Sequence, residues 1–144
     1  MENFNIHDRL LADCHRLGRL PVCHVLLHRN ATLPWFILVP ETTATDLLDL
    51  PAGPRDRAIA EAAAVSAFVK HTLDYPKVNF GAIGNLVPQL HLHVIGRRPG
   101  DPCWPAPVWG HLEHTSAYEE PDLDRLRSGL EATCGLAVIE DEAE

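Results

Sequence analysis

No stretch of this 144-residue chain approaches 18 consecutive apolar residues, so the sequence carries no signal for a membrane-spanning helix. The opening residues, Met1 to Asp8, hold neither a basic cluster nor an apolar segment of secretory length, and a cytoplasmic protein is expected. Cysteine is sparse: Cys14, Cys23, Cys103 and Cys134 lack the short Cys-x2–4-Cys spacing of zinc sites, and reduced thiols are expected. A surplus of base is missing as well. Twelve Lys+Arg face twenty Asp+Glu, a net charge of −8. Most of that deficit lies at the end, where residues 119–144 carry nine acids against Arg125 and Arg127. A nucleic-acid polymer needs a basic surface, so that partner class is excluded. A small anionic ligand is not, because local donors rather than net charge hold it.

What remains is an ordinary globular composition, 46% apolar and 22% charged, with no internal repeat. The length suits one domain, expected over residues 1–139, with an acidic tail at 140–144. Residues 5–17 place Ile6, Leu10, Leu11 and Leu17 at helical spacing before Gly18. After Pro21, Val22–Leu27 reads as a strand, Arg29–Thr32 as a turn, and Trp35–Val39 as a second strand. That second strand is apolar throughout, so it should be central and covered on both faces. Ile59, Ala62, Ala63, Val69 and Leu73 mark a long helix over 56–73, stopped by Asp74-Tyr75-Pro76. Val78–Phe80 and Gln89–Ile95 read as further strands, the Pro- and Gly-rich residues 99–110 as loop, and 122–133 as a last helix. A long helix between hairpin-like strand pairs predicts an α+β fold, with a mainly antiparallel sheet of about five strands and flanking terminal helices.

Gln89-Leu90-His91-Leu92-His93-Val94-Ile95 is the segment with chemical content. Alternate residues of a strand share a face, so Gln89, His91 and His93 form one polar row and Leu90, Leu92 and Val94 the apolar back. Such a row suits an anion. Two solvated imidazoles, or a His-x-His metal chelate wanting a third ligand, fit the same alternation. The Cys14-His15 and Cys23-His24 pairs, with His111 and His114, are the remaining metal candidates, and their spacing matches no zinc set.

The wider segment resembles the histidine-triad (HIT) family, whose signature is His-φ-His-φ-His-φ-φ with φ apolar. Here Gln89 stands in place of the first histidine, and Gly96-Arg97 follow. Gly84-Asn85-Leu86-Val87-Pro88 occupies the stretch where the family carries a phosphate-binding run, and the resemblance covers about residues 20–97. It implies a HIT-like fold and a hydrolase or transferase acting at the α-phosphate of nucleotide conjugates, with dinucleoside polyphosphates or nucleoside phosphoramidates as substrates. By resemblance His91 is the nucleophile, forming a nucleotidyl-histidine that water resolves. His93 flanks the phosphate oxygens, and Asn85 and nearby main-chain N–H groups add neutral donors. The carbonyl of Gln89 is expected to hold the Nδ1–H of His91, a role independent of its side chain. Trp35 falls near a position where the family often has a further histidine. A nucleotide-binding module with little turnover is the alternative.

The resemblance also places His28 and Asn79 near ribose- or base-contacting positions. Arg97 and Arg98 are candidates to draw in polyphosphate, and Leu26 and Phe36 to line a base pocket. The two tryptophans of Cys103–Gly110 suit a nucleobase wall or a dimer contact, because Trp offers large contact area at low entropic cost. No cofactor is required by this scheme, magnesium serving only to chelate a polyphosphate substrate. A homodimer through the long helix and a sheet edge is implied.

Overall fold

The computed structural model describes residues 3–139, so the acidic tail expected at 140–144 lies outside the described residues. In chain order the elements are α1 (Asp8–Asp13), β1 (Cys14–Arg19), β2 (Cys23–His28), β3 (Trp35–Pro40) and α2 (Ala52–Ala67). They continue with β4 (Lys77–Gly81), β5 (Leu92–Arg97), α3 (Glu120–Cys134) and β6 (Ala137–Val138). The strands form one sheet in the order β4-β5-β3-β2-β1-β6, and every neighbouring pair is antiparallel. The α+β architecture expected from the sequence is therefore found, with six strands rather than about five.

The extra long strand comes from a segment read as helix. Only Asp8–Asp13 is helical, with the His7 ring accepting a cap hydrogen bond from the Arg9 N–H. Cys14–Arg19 runs instead along β2, and Leu17, at helical spacing from Leu10, is completely buried on that strand. Tertiary pairing overrides a short periodic signal. β3 matches its expectation: all six residues are buried, between β2 and β5. Helix α2 begins before residue 56, with Pro54 in its first turn, and passes into a π-helical turn over Phe68–Thr72. Asp74, at φ 63°, ends it. Its buried side is Ala58, Ala62, Val65, Phe68 and Val69, so the expected core positions Ile59 and Ala63 point outward. Helix α3 starts on a reciprocal Glu119/Asp122 capping box and ends at Gly135, whose φ is 73°.

The sheet separates two apolar layers. On one face Leu17, Val25, Leu27, Phe36, Leu38, Leu92 and Val94 pack against α2 and α3. On the other, Leu26, Trp35, Ile37, Val39 and Ile95 meet Ile6 and Leu10 of the N-terminal segment and Val87 and Val108 of two loops. Phe36 thus belongs to the helix-side core rather than to a base pocket. β5 divides its residues between these layers, Leu92 and Val94 toward the helices and His93 and Ile95 away from them. Helices cover one side; the N-terminal segment and two loops cover the other, the side to which His93 points.

Gly96 holds β5 against the helical layer. A Cβ there would stand 2.7 Å from Pro34 Cγ and 2.8 Å from Val69 Cγ1, while its N–H bonds the Pro34 carbonyl at 2.9 Å. Gly96→Ala is expected to destabilise the fold by about 1–3 kcal/mol through this overpacking, measured by urea unfolding. An unchanged midpoint would show that Pro34 and Val69 yield freely.

Candidate active site

β5 delivers His93 to the open face, and the residues just before the strand deliver His91. Both imidazoles are nearly buried, at 6% and 7% exposure, with ring centroids 4.9 Å apart. Burial makes every ring nitrogen accountable for a hydrogen bond. His91 Nδ1 lies 2.8 Å from the Gln89 carbonyl oxygen. A carbonyl only accepts, so Nδ1 carries a proton, and in the neutral ring this tautomer leaves the lone pair on Nε2. For His93 the assignment is reversed. The Trp35 indole Nε1–H, a donor without acceptor capacity, reaches His93 Nδ1 at 3.0 Å and leaves the proton on Nε2. The pair therefore offers one bare nitrogen and one N–H, from two identical side chains.

Burial pushes the His93 pKa down to about 3, with the neighbouring His91 and His28 adding in the same direction. His93 is a neutral donor throughout the physiological range. His28, on β2, stacks on Trp35 at 4.2 Å and accepts the Asn30 N–H at Nδ1. Burial lowers its pKa too.

These groups line a cavity of about 370 Å³ closed by Arg9, Leu10 and Asp13 of α1, Ile37 of β3, Ile83–Val87 of the loop before the motif, and Trp109. Asn85 is exposed at its edge. Trp109 stands edge-on to both His93, at 5.1 Å, and Trp35, at 6.3 Å. Of the residues singled out from sequence, His91, His93, His28 and Asn85 converge here.

Gln89, Asn79 and Arg97 do not join the lining. The Gln89 side chain faces the N-terminal segment, accepting the His7 N–H at 2.8 Å and donating to the Asn5 carbonyl at 2.9 Å. The polar row expected at Gln89, His91 and His93 is thus broken, because β5 begins only at Leu92. Arg97 is 1% exposed and bound in bidentate fashion to Asp101, at 2.8 and 3.0 Å, with Asn79 Oδ1 completing the cage at 2.8 Å. An arginine so enclosed anchors the loop after β5 rather than meeting a polyphosphate. Arg98 lies 4.0 Å over the Tyr75 ring and bonds the Asp74 carbonyl, also outside the cavity. Sequence reading missed Arg9, Leu10 and Asp13; a short amphipathic helix gives no sign of which cavity its polar side will border.

The Cys-His pairs do not assemble. Cys14 and Cys23 belong to the apolar layers on opposite faces of the sheet, and burial raises both thiol pKa values. Among the described residues no three His, Cys, Asp or Glu side chains are grouped to hold a metal ion. Nor is any helix of the described residues long and apolar enough to cross a membrane.

The fold and this paired-imidazole cavity define an α+β protein with a histidine site on the open side of an antiparallel sheet. The HIT domain profile matches residues 10–100, and the chain belongs to the HIT family. It is similar to a solved histidine-triad protein from Marinobacter aquaeolei, 40% identical over 93% of this chain and 98% of that one, with TM-score 0.84. A histidine-triad protein from Bradyrhizobium japonicum is 36% identical, covering 90% and 97%, TM-score 0.83. One from Sinorhizobium meliloti is 34% identical, covering 90% and 96%, TM-score 0.84. No curated protein matches. Membership of this family suggests nucleotide-binding or hydrolase activity.

The buried neutral His93 predicts acid sensitivity. Its folded pKa lies below that of the unfolded chain, near 6.5, so protonation favours unfolding as pH falls below that value. The melting temperature should fall by roughly 3 °C or more between about pH 7.5 and 5, and His93→Gln should lessen that fall. Parallel profiles for the two proteins would show that His93 is not the titrating group.

Proposed function

We propose that the protein is a nucleotide hydrolase or transferase that cleaves at the α-phosphate of nucleotide conjugates through a nucleotidyl-His91 intermediate. The observation that carries this reading is the 2.8 Å bond from His91 Nδ1 to the Gln89 carbonyl, which leaves Nε2 as a lone pair inside the cavity. An imidazole in that tautomer is a nucleophile without needing a base. His93 Nε2–H is suited to meet a phosphoryl oxygen as charge develops, with Asn85 and the N–H groups of its loop as further neutral donors. The aromatic and aliphatic walls, His28, Trp35, Leu10 and Ile37, suit a nucleobase or ribose.

The second reading, a nucleotide-binding module, is favoured by the Gln89 side chain, which turns to the N-terminal segment and supplies nothing to the cavity. Chromatographic product analysis separates the two. Wild-type protein should release nucleoside monophosphate from dinucleoside polyphosphates or phosphoramidates, with kcat/KM reduced roughly a thousandfold or more in His91→Ala. Tight nucleotide binding by both proteins without release would establish the binding module instead. Magnesium enters only as a chelate of a polyphosphate substrate.

The partner we propose is a second copy of this chain. Ile59, Ala62, Ala63, Ser66, Val78 and Phe80 line a shallow apolar groove between α2 and β4, and Ile59 and Phe80 are 43% and 50% exposed. β4 is also the open edge of the sheet, a template for pairing. Light scattering should give twice the chain mass for the wild type and the monomer mass for Phe80→Glu. A monomeric wild type at tens of micromolar would remove this partner.

A further inference from the structure

The Trp35–His93 hydrogen bond has a chemical consequence for the leaving group. Trp35 is 9% exposed and cannot swing away: His28 stacks on one face at 4.2 Å, and Trp109 meets it edge-on at 6.3 Å. Its indole N–H keeps His93 Nδ1 as an acceptor, so His93 presents Nε2–H as a neutral imidazole. A neutral imidazole N–H donates a hydrogen bond but gives up its proton only to form an imidazolate, far outside the range of general acids at pH 7. No other group facing the cavity supplies an acid. His91 holds its Nδ1 proton against the Gln89 carbonyl, and His28 carries its proton on Nε2 because Nδ1 accepts the Asn30 N–H. From α1 the cavity receives a guanidinium, Arg9, and a carboxylate, Asp13, side-chain types that respectively keep their protons and accept hydrogen bonds; the Asn85 amide is neutral. The Gln89 amide faces the N-terminal segment.

We propose that Trp35 is a positioning residue that fixes His93 as a neutral N–H donor, and that the site therefore selects conjugates whose leaving group departs as a stable anion. Phosphoric anhydrides fit this chemistry and alkyl phosphoramidates do not. The inference rests on the nucleophilic role of His91 proposed above. In the first step His91 Nε2 forms an N–P bond as the P–O bond to the leaving phosphate breaks, its electron pair staying on that oxygen. Water then attacks phosphorus and the N–P electron pair returns to His91. One water proton passes to solvent, and nucleoside monophosphate is formed. An anhydride thus needs no proton at bond cleavage. An alkylamine leaving group would depart as an amide anion unless protonated, and the walls of this cavity hold no proton for it.

The test is a leaving-group series at constant nucleoside: diadenosine tetraphosphate, the 4-nitrophenyl ester of AMP, and an N-butyl phosphoramidate of AMP. For wild-type protein kcat should be about a hundredfold or more lower for the phosphoramidate than for the other two, with KM changed only severalfold. Trp35→His, which removes the indole donor and adds a protonatable ring, should narrow that gap at least roughly tenfold by raising phosphoramidate turnover. A merely structural role for Trp35 would lower all three rates together. Nitrogen-15 NMR of the wild type gives a second measure that no variant can compromise. His93 should stay protonated at Nε2 and bare at Nδ1 from about pH 5.5 to 8.5, whereas titration near 6.5 would overturn the proposal. Phosphoramidate turnover within about tenfold of the anhydride would overturn it too, while leaving the hydrolase reading intact. If none of the three conjugates is consumed, the hydrolase reading fails and takes this inference with it.

Discussion

The hydrogen bond from the Trp35 indole to His93 is the contact on which the rest of the site depends. It joins two central strands on the open side of the sheet. β3 and β5 pair Trp35 with Ile95 and Ile37 with His93, so the tryptophan and the histidine are diagonal neighbours on one face. That spacing lies within reach of aromatic side chains. A histidine buried to 6% exposure would otherwise leave a ring nitrogen unsatisfied, at a cost of roughly 1–3 kcal/mol. The indole meets that requirement with a donor that has no second state. One bond therefore sets the tautomer of His93, while the stack of His28 on Trp35 ties β2 into the same arrangement.

Gln89 plays the complementary part by separating its backbone from its side chain. The carbonyl holds His91 Nδ1, and the amide crosses to the Asn5 and His7 main chain. The residue thus fastens the N-terminal segment beside the nucleophile candidate, and α1, which follows that segment, closes the cavity with Arg9, Leu10 and Asp13. The two histidines then differ because their partners differ: a carbonyl acceptor for one, an indole donor for the other. On the far side of the sheet the packing is mainly apolar, with Gly96 bringing β5 close to Pro34 and Val69.

Arg97 illustrates how chemistry-bearing residues near a motif can belong to the scaffold. It follows the histidines along β5 on the same face as His93, yet Asp101 and Asn79 take its guanidinium in a buried cage. An exposed arginine at a strand end would suit an anion. This one holds the Pro- and Gly-rich loop that goes on to present Trp109 to the cavity.

Much of the architecture was legible in the residues themselves. The unbroken apolar run Trp35–Val39 reads as a central strand, the 3.6-residue pattern after Pro54 as a long helix, and Gln89–Ile95 as the segment with chemistry, because these signals are local and periodic. The period-2 alternation also separated His93 from Leu92 and Val94 correctly. It failed at Gln89, where the strand has not begun, and at Cys14–Arg19, where strand pairing outweighs a helical spacing of leucines. Tertiary structure alone decided the partners: Trp35 meets His93 across 58 positions of sequence, and Gln89 meets Asn5 across 84. Such contacts depend on strand register and on the close approach of segments that no linear spacing encodes. The residue types in the chain specified the central strand, the long helix and which groups could donate or accept; only the packed sheet determined that Cys14–Arg19 is a strand and which donor met which acceptor, and so which nitrogen of each histidine carries the proton.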